Sequence, residues 1–220
     1  MKLAELHKRI LTSIILLPII IFASLYSYIS FNLLLFIVLS LSIYEWFNLN
    51  IKKYSVTTVI GYFFIITSFV FAFLLRGENL ENHIIFLWVL FVCFFSDIGG
   101  YLFGKIIGGK KITKISPNKT YSGMAGSFIF SLLPIYIFNL VLFNFLNIDL
   151  FFLSLKNIFI SLLISAFCQL GDITMSYFKR KNKIKDTGNI LPGHGGILDR
   201  IDGLLFVFVV VGILNFFRFI

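Results

Sequence analysis

The chain has 220 residues, a net charge of +9, and 59% hydrophobic against only 13% charged residues. An ordinary soluble domain carries about 25% charged residues to cover its surface, so this balance excludes a soluble enzyme and a basic nucleic-acid-binding domain. Apolar runs reach the roughly 20 residues that cross a hydrocarbon core about 30 Å thick, which predicts an all-α integral membrane protein.

Read in chain order, the apolar runs predict seven spans, within a range of six to eight: 10–27, 31–49, 56–75, 84–103, 123–146, 157–175 and 204–220. They are expected to be helices. Backbone groups in hydrocarbon need internal partners, and the period-2 alternation of a β-barrel is missing. The first run follows Lys8 and Arg9 in the manner of a signal peptide, but Pro18 interrupts it and no small-x-small cleavage site follows. An uncleaved first span is the expectation. The whole reads as a polytopic bundle, with N-terminal spans over 1–85 and a catalytic region over 86–220. Two longer connections, 104–122 and 176–203, are the most basic, Gly-rich and polar parts of that region.

With seven spans, sixteen of the 19 Lys and Arg residues fall on one side and three on the other. The positive-inside rule places the first group, the N-terminus and both long loops in the cytoplasm, and the C-terminus outside. Cys93 and Cys168 lie inside apolar runs without metal-ligand spacing and read as buried thiols.

Ionisable residues inside spans are expensive and mark function. Asp97 in the fourth span and Asp172 in the sixth are such residues, while Glu45 sits at a helix end between Tyr44 and Trp46 and reads equally well as interfacial. In the loop 104–122, Ser116, Lys119 and Thr120 precede Gly123 and Gly126, a pattern suited to a phosphate cradle at a helix N-terminus. In the last loop, Asp199 and Asp202 are spaced i, i+3. If the final helix begins there they share a face, and carboxylates so placed suit Mg²⁺ with substrate phosphates. Gly193, Gly195 and Gly196 allow close backbone approach to an anion. Lys179, Arg180, Lys185 and Arg200 supply positive charge for a polyphosphate. His194 is read as binding or positioning phosphate over acting as a general base. Together these features point to metal-assisted phosphoryl chemistry at a membrane face.

The segment from Ser176 to Asp202 reads Ser-x-x-Lys179-Arg180, four residues, Lys185-Asp186, then Pro192-x-His194-Gly195-Gly196-x-x-Asp199-Arg200-x-Asp202. This resembles the signature of phosphatidate cytidylyltransferases. The stretches Gln169-Leu170-Gly171-Asp172, Ser116-Pro117-x-Lys119-Thr120 and Asp97-x-Gly99-x-Tyr101 resemble the same family in the expected order. Met175, Ser122 and Ile98 depart from it, Met175 standing where an acidic residue is usual. The resemblance implies a nucleotidyltransferase of phospholipid biosynthesis in a bacterial plasma membrane, joining CTP and phosphatidate to give CDP-diacylglycerol and pyrophosphate. It implies Asp172 and Asp199 as ligands of Mg²⁺, Asp202 and Asp186 as supporting or second-cation ligands, and Lys185, Asp186 and His194 beside them in the catalytic set. Ser116, Lys119, Thr120, Lys179, Arg180, the three glycines and Arg200 would bind substrate. The alternatives are another Mg²⁺-dependent enzyme of lipid-phosphate chemistry, whose Asp-rich patterns are not found, and an anion transporter, whose inverted repeat is not found either. A homodimer is left open.

Overall fold

Among the described residues, eight helices form where the apolar runs stand, because a helix satisfies every backbone group within its own segment. The computed structural model describes residues 3–49, 56–113, 116, 119–146, 154–193 and 195–219. Its helices are α1 (Leu3–Tyr26), α2 (Tyr28–Leu49), α3 (Val56–Arg76), α4 (Leu80–Ile106), α5 (Tyr121–Phe130), α6 (Leu133–Leu146), α7 (Leu155–Lys181) and α8 (Leu198–Phe216). Among the described residues only two isolated antiparallel bridges occur, Lys111 with Thr120 and Leu191 with Gly195.

Short polar residues set the boundaries. Ser27 alone separates α1 from α2, and its hydroxyl accepts from the Ser30 amide at 3.1 Å while Ser30 Oγ accepts from the Ser27 amide at 3.2 Å. This reciprocal arrangement is a serine form of the capping box. Thr120 starts α5 and Ser154 starts α7, each accepting the amide three residues on at 3.1 Å.

The bundle is that of a polytopic membrane protein, with large apolar side chains such as Phe36, Phe63, Ile106 and Tyr136 turned outward. By length and hydropathy, α2, α3, α4, α7 and the passage Tyr121–Leu142 are apolar enough to cross a membrane. α1 offers a shorter apolar stretch, Ile14–Tyr26, and α8 carries Asp199, Arg200 and Asp202 near its start. One expected span and three expected boundaries need correction. The span 123–146 is broken into α5 and α6 at Ser131 and Leu132, just before Pro134, which lacks an amide and clashes with a preceding turn. α4 and α7 run past their expected ends at 103 and 175 to Ile106 and Lys181, and α8 begins at Leu198, not 204. Each of these extensions is polar or basic, so hydropathy ends the span before the helix itself ends.

Glycine contacts fix the packing around the polar end. α4 and α5 approach through Gly99, Gly100, Gly123 and Gly126; a Cβ on Gly126 would lie 2.6 Å from the Gly99 carbonyl oxygen. Such small-residue contacts let membrane helices pack backbone to backbone. The core falls into two apolar clusters, one around Trp88, Val92, Ile164 and Val207, the other around Trp46, Ile65, Met175, Leu198 and Leu205. Met175, at the position where the resemblance expects an acid, is 7% exposed within the second cluster.

Candidate active site

α7 and α8 meet through a pair of glycines that flank two aspartates. A Cβ on Gly171 would come to 2.5 Å from the Asp202 carbonyl oxygen, and one on Gly203 to 3.3 Å from Asp172 Oδ1. Backbones this close set the Asp172 and Asp202 side chains against each other, within hydrogen-bonding reach. Asp172 also pairs with Lys119, whose Nζ lies 2.7 Å from Oδ2 and 3.4 Å from the Gln169 carbonyl oxygen. The loop before α5 is thereby fastened to α7. Asp97 on α4 joins the group: its electrostatic neighbours are Asp172, Lys119 and Arg200, and the Cys168 thiol lies 3.8 Å from its Oδ1.

Two cavities meet at these acids. One, of about 390 Å³, is walled by apolar residues of α1, α2, α3, α4 and α8, including Leu17, Ile20, Leu35, Phe69 and Phe208, and ends at Asp97, Asp172, Arg200 and Asp202. The other, of about 230 Å³, is lined by Ser116, Lys119, Thr120, Tyr101, Ser127 and Gln169, with Asp97 and Asp172 again in its wall. An apolar chamber and a polar one thus share one boundary, and carboxylates form it.

Asp199 stands apart from this boundary. Its Oδ1 accepts from Lys179 Nζ at 2.6 Å, and its Oδ2 accepts the amides of Thr187 at 2.8 Å and Gly196 at 3.0 Å. The final helix begins at Leu198, so Asp199 and Asp202 both lie near its start, yet the two carboxylates serve different partners. Gly193 and Gly195 adopt φ of 77° and 85°, the left-handed region that glycine enters without penalty. Gly196 is buried, its missing Cβ replaced by Thr187 and by the Glu45 carboxylate, 2.5 Å from where a Cβ would stand.

The structure therefore gathers Ser116, Lys119, Thr120, Asp172, Arg200 and Asp202 around the two cavities and joins Lys179 at the end of α7, Gly196 in the loop and Asp199 at the start of α8 in a bonded group. Arg180, Lys185 and Asp186 are exposed, and Arg180 Nη1 lies 3.5 Å from the Ile184 carbonyl oxygen. His194 lies outside the described residues. Asp97, read from the sequence as a functional charge inside a span, stands in the wall of both cavities; Tyr101, Ser127 and Gln169 line the second cavity without having been assigned a role, and Thr187 and Glu45 lie behind. Asp97 and Glu45 carry a sequence signal, a charge beside or within an apolar run. Thr187 carries none.

Mg²⁺ binds through one or two carboxylates, with water and substrate phosphates completing its shell. The Asp172–Asp202 pair fits that share. Among the described residues no three His, Cys, Asp or Glu side chains converge as a metal group, so phosphate oxygens or water would complete the set.

Comparison with known proteins gives the chain a family. The profile of the cytidylyltransferase family matches residues 50–217. Proteins named phosphatidate cytidylyltransferase are similar to the chain: one from Staphylococcus haemolyticus is 42% identical over 148 residues, covering 66% of this chain and 53% of the relative. One from Staphylococcus aureus is 40% identical over 148 residues, with the same coverage. One from Bacillus subtilis is 42% identical over 141 residues, covering 62% of this chain and 50% of the relative. The chain spans about half the length of these curated relatives. Three quarters of it lies within the matched segment, and on that ground the chain belongs to the cytidylyltransferase family.

Proposed function

We propose that the protein is a CTP:phosphatidate cytidylyltransferase. The observation that carries this reading is the pair of unlike cavities sharing Asp97 and Asp172. A diacyl phosphate has the same division, with tails suited to the apolar chamber and a phosphate that would sit at the acids. The polar chamber, with Lys119, Ser116 and Thr120, suits a nucleoside triphosphate. The names of the relatives supply the choice of lipid and nucleotide.

In this reaction a phosphate oxygen of phosphatidate attacks the α-phosphorus of CTP. The bond to the β-phosphate oxygen breaks, and CDP-diacylglycerol and pyrophosphate result. Positioning and charge neutralisation dominate such transfers. Lys119 and Arg200 would neutralise phosphate charge, and Thr120, at the N-terminus of α5, would orient it. Asp172 and Asp202 would hold Mg²⁺, which supplies Lewis-acid stabilisation of the phosphoryl oxygens when bound. The carboxylate of Asp199 accepts from three donors and lines neither cavity. In this reading it holds the loop. The surplus of Lys and Arg on the loop side supports a cytoplasmic site and N-terminus in a bacterial plasma membrane.

The test is purified protein in detergent micelles with phosphatidate, Mg²⁺ and each nucleoside triphosphate in turn. Pyrophosphate release with CTP or dCTP alone is expected. Failure to release pyrophosphate with any nucleotide, or equal release with ATP, overturns the reading.

A further inference from the structure

Among the described residues, the acid with the least exposed surface stands outside both cavities. Glu45, in the last turn of α2, is 1% exposed. Its Oε1 accepts the Ile197 amide at 2.8 Å; its Oε2 accepts the Leu198 amide at 2.8 Å and the Thr187 hydroxyl at 3.0 Å. Burying a carboxylate is costly unless hydrogen bonds replace its water, and here three donors do so. With both oxygens engaged by the loop and the start of α8, Glu45 is not placed to ligate a metal or meet substrate.

Its donors interleave with those of Asp199. Thr187 gives its amide to Asp199 and its hydroxyl to Glu45, while the successive amides of Gly196, Ile197 and Leu198 go to Asp199, Glu45 and Glu45. Two carboxylates from distant parts of the chain thus occupy the amides that open α8, a helix end that otherwise attracts anions. One turn beyond Leu198 stands Asp202, which meets Asp172, and Arg200 lies between. The arm that delivers Glu45 is itself anchored, since Trp46 Nε1 donates to the Thr58 carbonyl at 3.1 Å and its ring meets Phe178 of α7 edge-on at 5.4 Å. Gly188 and Gly196 both lie against the Glu45 carboxyl, where a Cβ would stand 2.7 Å and 2.5 Å from its oxygens.

We propose that Glu45 is a positioning residue for the transfer reaction, holding the first turn of α8 so that Asp202 and Arg200 face Asp172. The proposal rests on the cytidylyltransfer reading for its effect on turnover. It also means that the family-matched segment 50–217 borrows an essential part of its site from α2, five residues before that segment begins.

Glu45→Gln in the full chain is the informative variant. An amide keeps one accepting oxygen and turns an NH₂ toward a donor, so at least one of the three bonds is lost while volume is kept. The expected result is a turnover number reduced tenfold or more, with KM for CTP within twofold of wild type and the thermal midpoint in detergent nearly unchanged. Hydrogen exchange should quicken at the amides of 196–198 and stay unchanged in α4 and α5. Thr187→Val combined with Glu45→Gln should cost no more than Glu45→Gln alone, because the hydroxyl acts through the carboxylate. Turnover within twofold of wild type, a rise in KM accompanied by a lowered thermal midpoint, unchanged exchange at 196–198, or additive losses in the double variant would each overturn the proposal. Wild-type protein that fails to release pyrophosphate with any nucleotide would instead defeat the proposed reaction, and the exchange comparison would still decide whether Glu45 holds α8.

Discussion

Asp199 accepts from one ammonium and two amides, whereas Asp172 holds one ammonium and opens onto both cavities. The difference predicts separable phenotypes. Asp172→Asn and Asp202→Asn should lower turnover by roughly 100-fold or more, since metal stabilisation of transferring phosphates is worth several kcal/mol, and should raise the Mg²⁺ concentration for half-maximal rate. Asp199→Asn should slow the reaction while leaving that Mg²⁺ concentration within about twofold, because the loop and not the cation loses a partner. Magnesium titrations of the three variants check this, and a raised requirement in Asp199→Asn would return that residue to the metal. Met175 supplies a second test. Its side chain packs with Trp46, Leu198 and Leu205, so Met175→Glu should gain no activity and lose about 2–3 kcal/mol of stability, the order of cost for a charge inside a membrane helix. Thermal unfolding in detergent measures it. The aspartates were legible in the sequence because a charge inside an apolar run stands out. Glu45 was only half legible: its donors lie 142 to 153 residues away, and no local pattern connects them.

Helix contacts decide whether those side chains meet. Gly171 and Gly203 bring α7 and α8 together at the level of the Asp172–Asp202 pair. Gly171→Ala would set a methyl 2.5 Å from the Asp202 carbonyl oxygen, backbone that cannot swing away as a flexible side chain can. Overpacking of this kind costs about 1–3 kcal/mol, and here it should also part the carboxyls. Reduced thermal stability together with a raised Mg²⁺ requirement is expected; a variant that loses stability alone would show that the pair tolerates separation. The positions of the helices followed from apolar length, but their ends did not. Hydropathy averages over a window, so the break before Pro134 vanished into one run, while the basic turn Lys179-Arg180-Lys181 was assigned to a loop although it completes α7. The two polar loops are correspondingly shorter than composition suggested, and Lys179 reaches Asp199 from a helix end.

At the scale of the whole molecule, chain segments far apart in sequence contribute to one boundary. α4 and α7 carry Asp97 and Asp172, α8 carries Asp202, the loop before α5 carries Lys119, and α1 and α2 wall the apolar chamber. The division into an N-terminal part and a catalytic part, 1–85 and 86–220, therefore separates segments that share a cavity. That boundary has a kinetic consequence. Because the apolar chamber and the polar one share only Asp97 and Asp172 in their walls, inhibitors should sort into two orthogonal kinds. An uncharged diacyl lipid should compete with phosphatidate and leave the apparent affinity for CTP unchanged. A tail-less triphosphate should do the reverse, and a single molecule bearing both parts should block either substrate. Inhibition patterns measured against each substrate at a fixed level of the other would reveal that sorting, and cross-competition by the simple ligands would mean that the two chambers behave as one room.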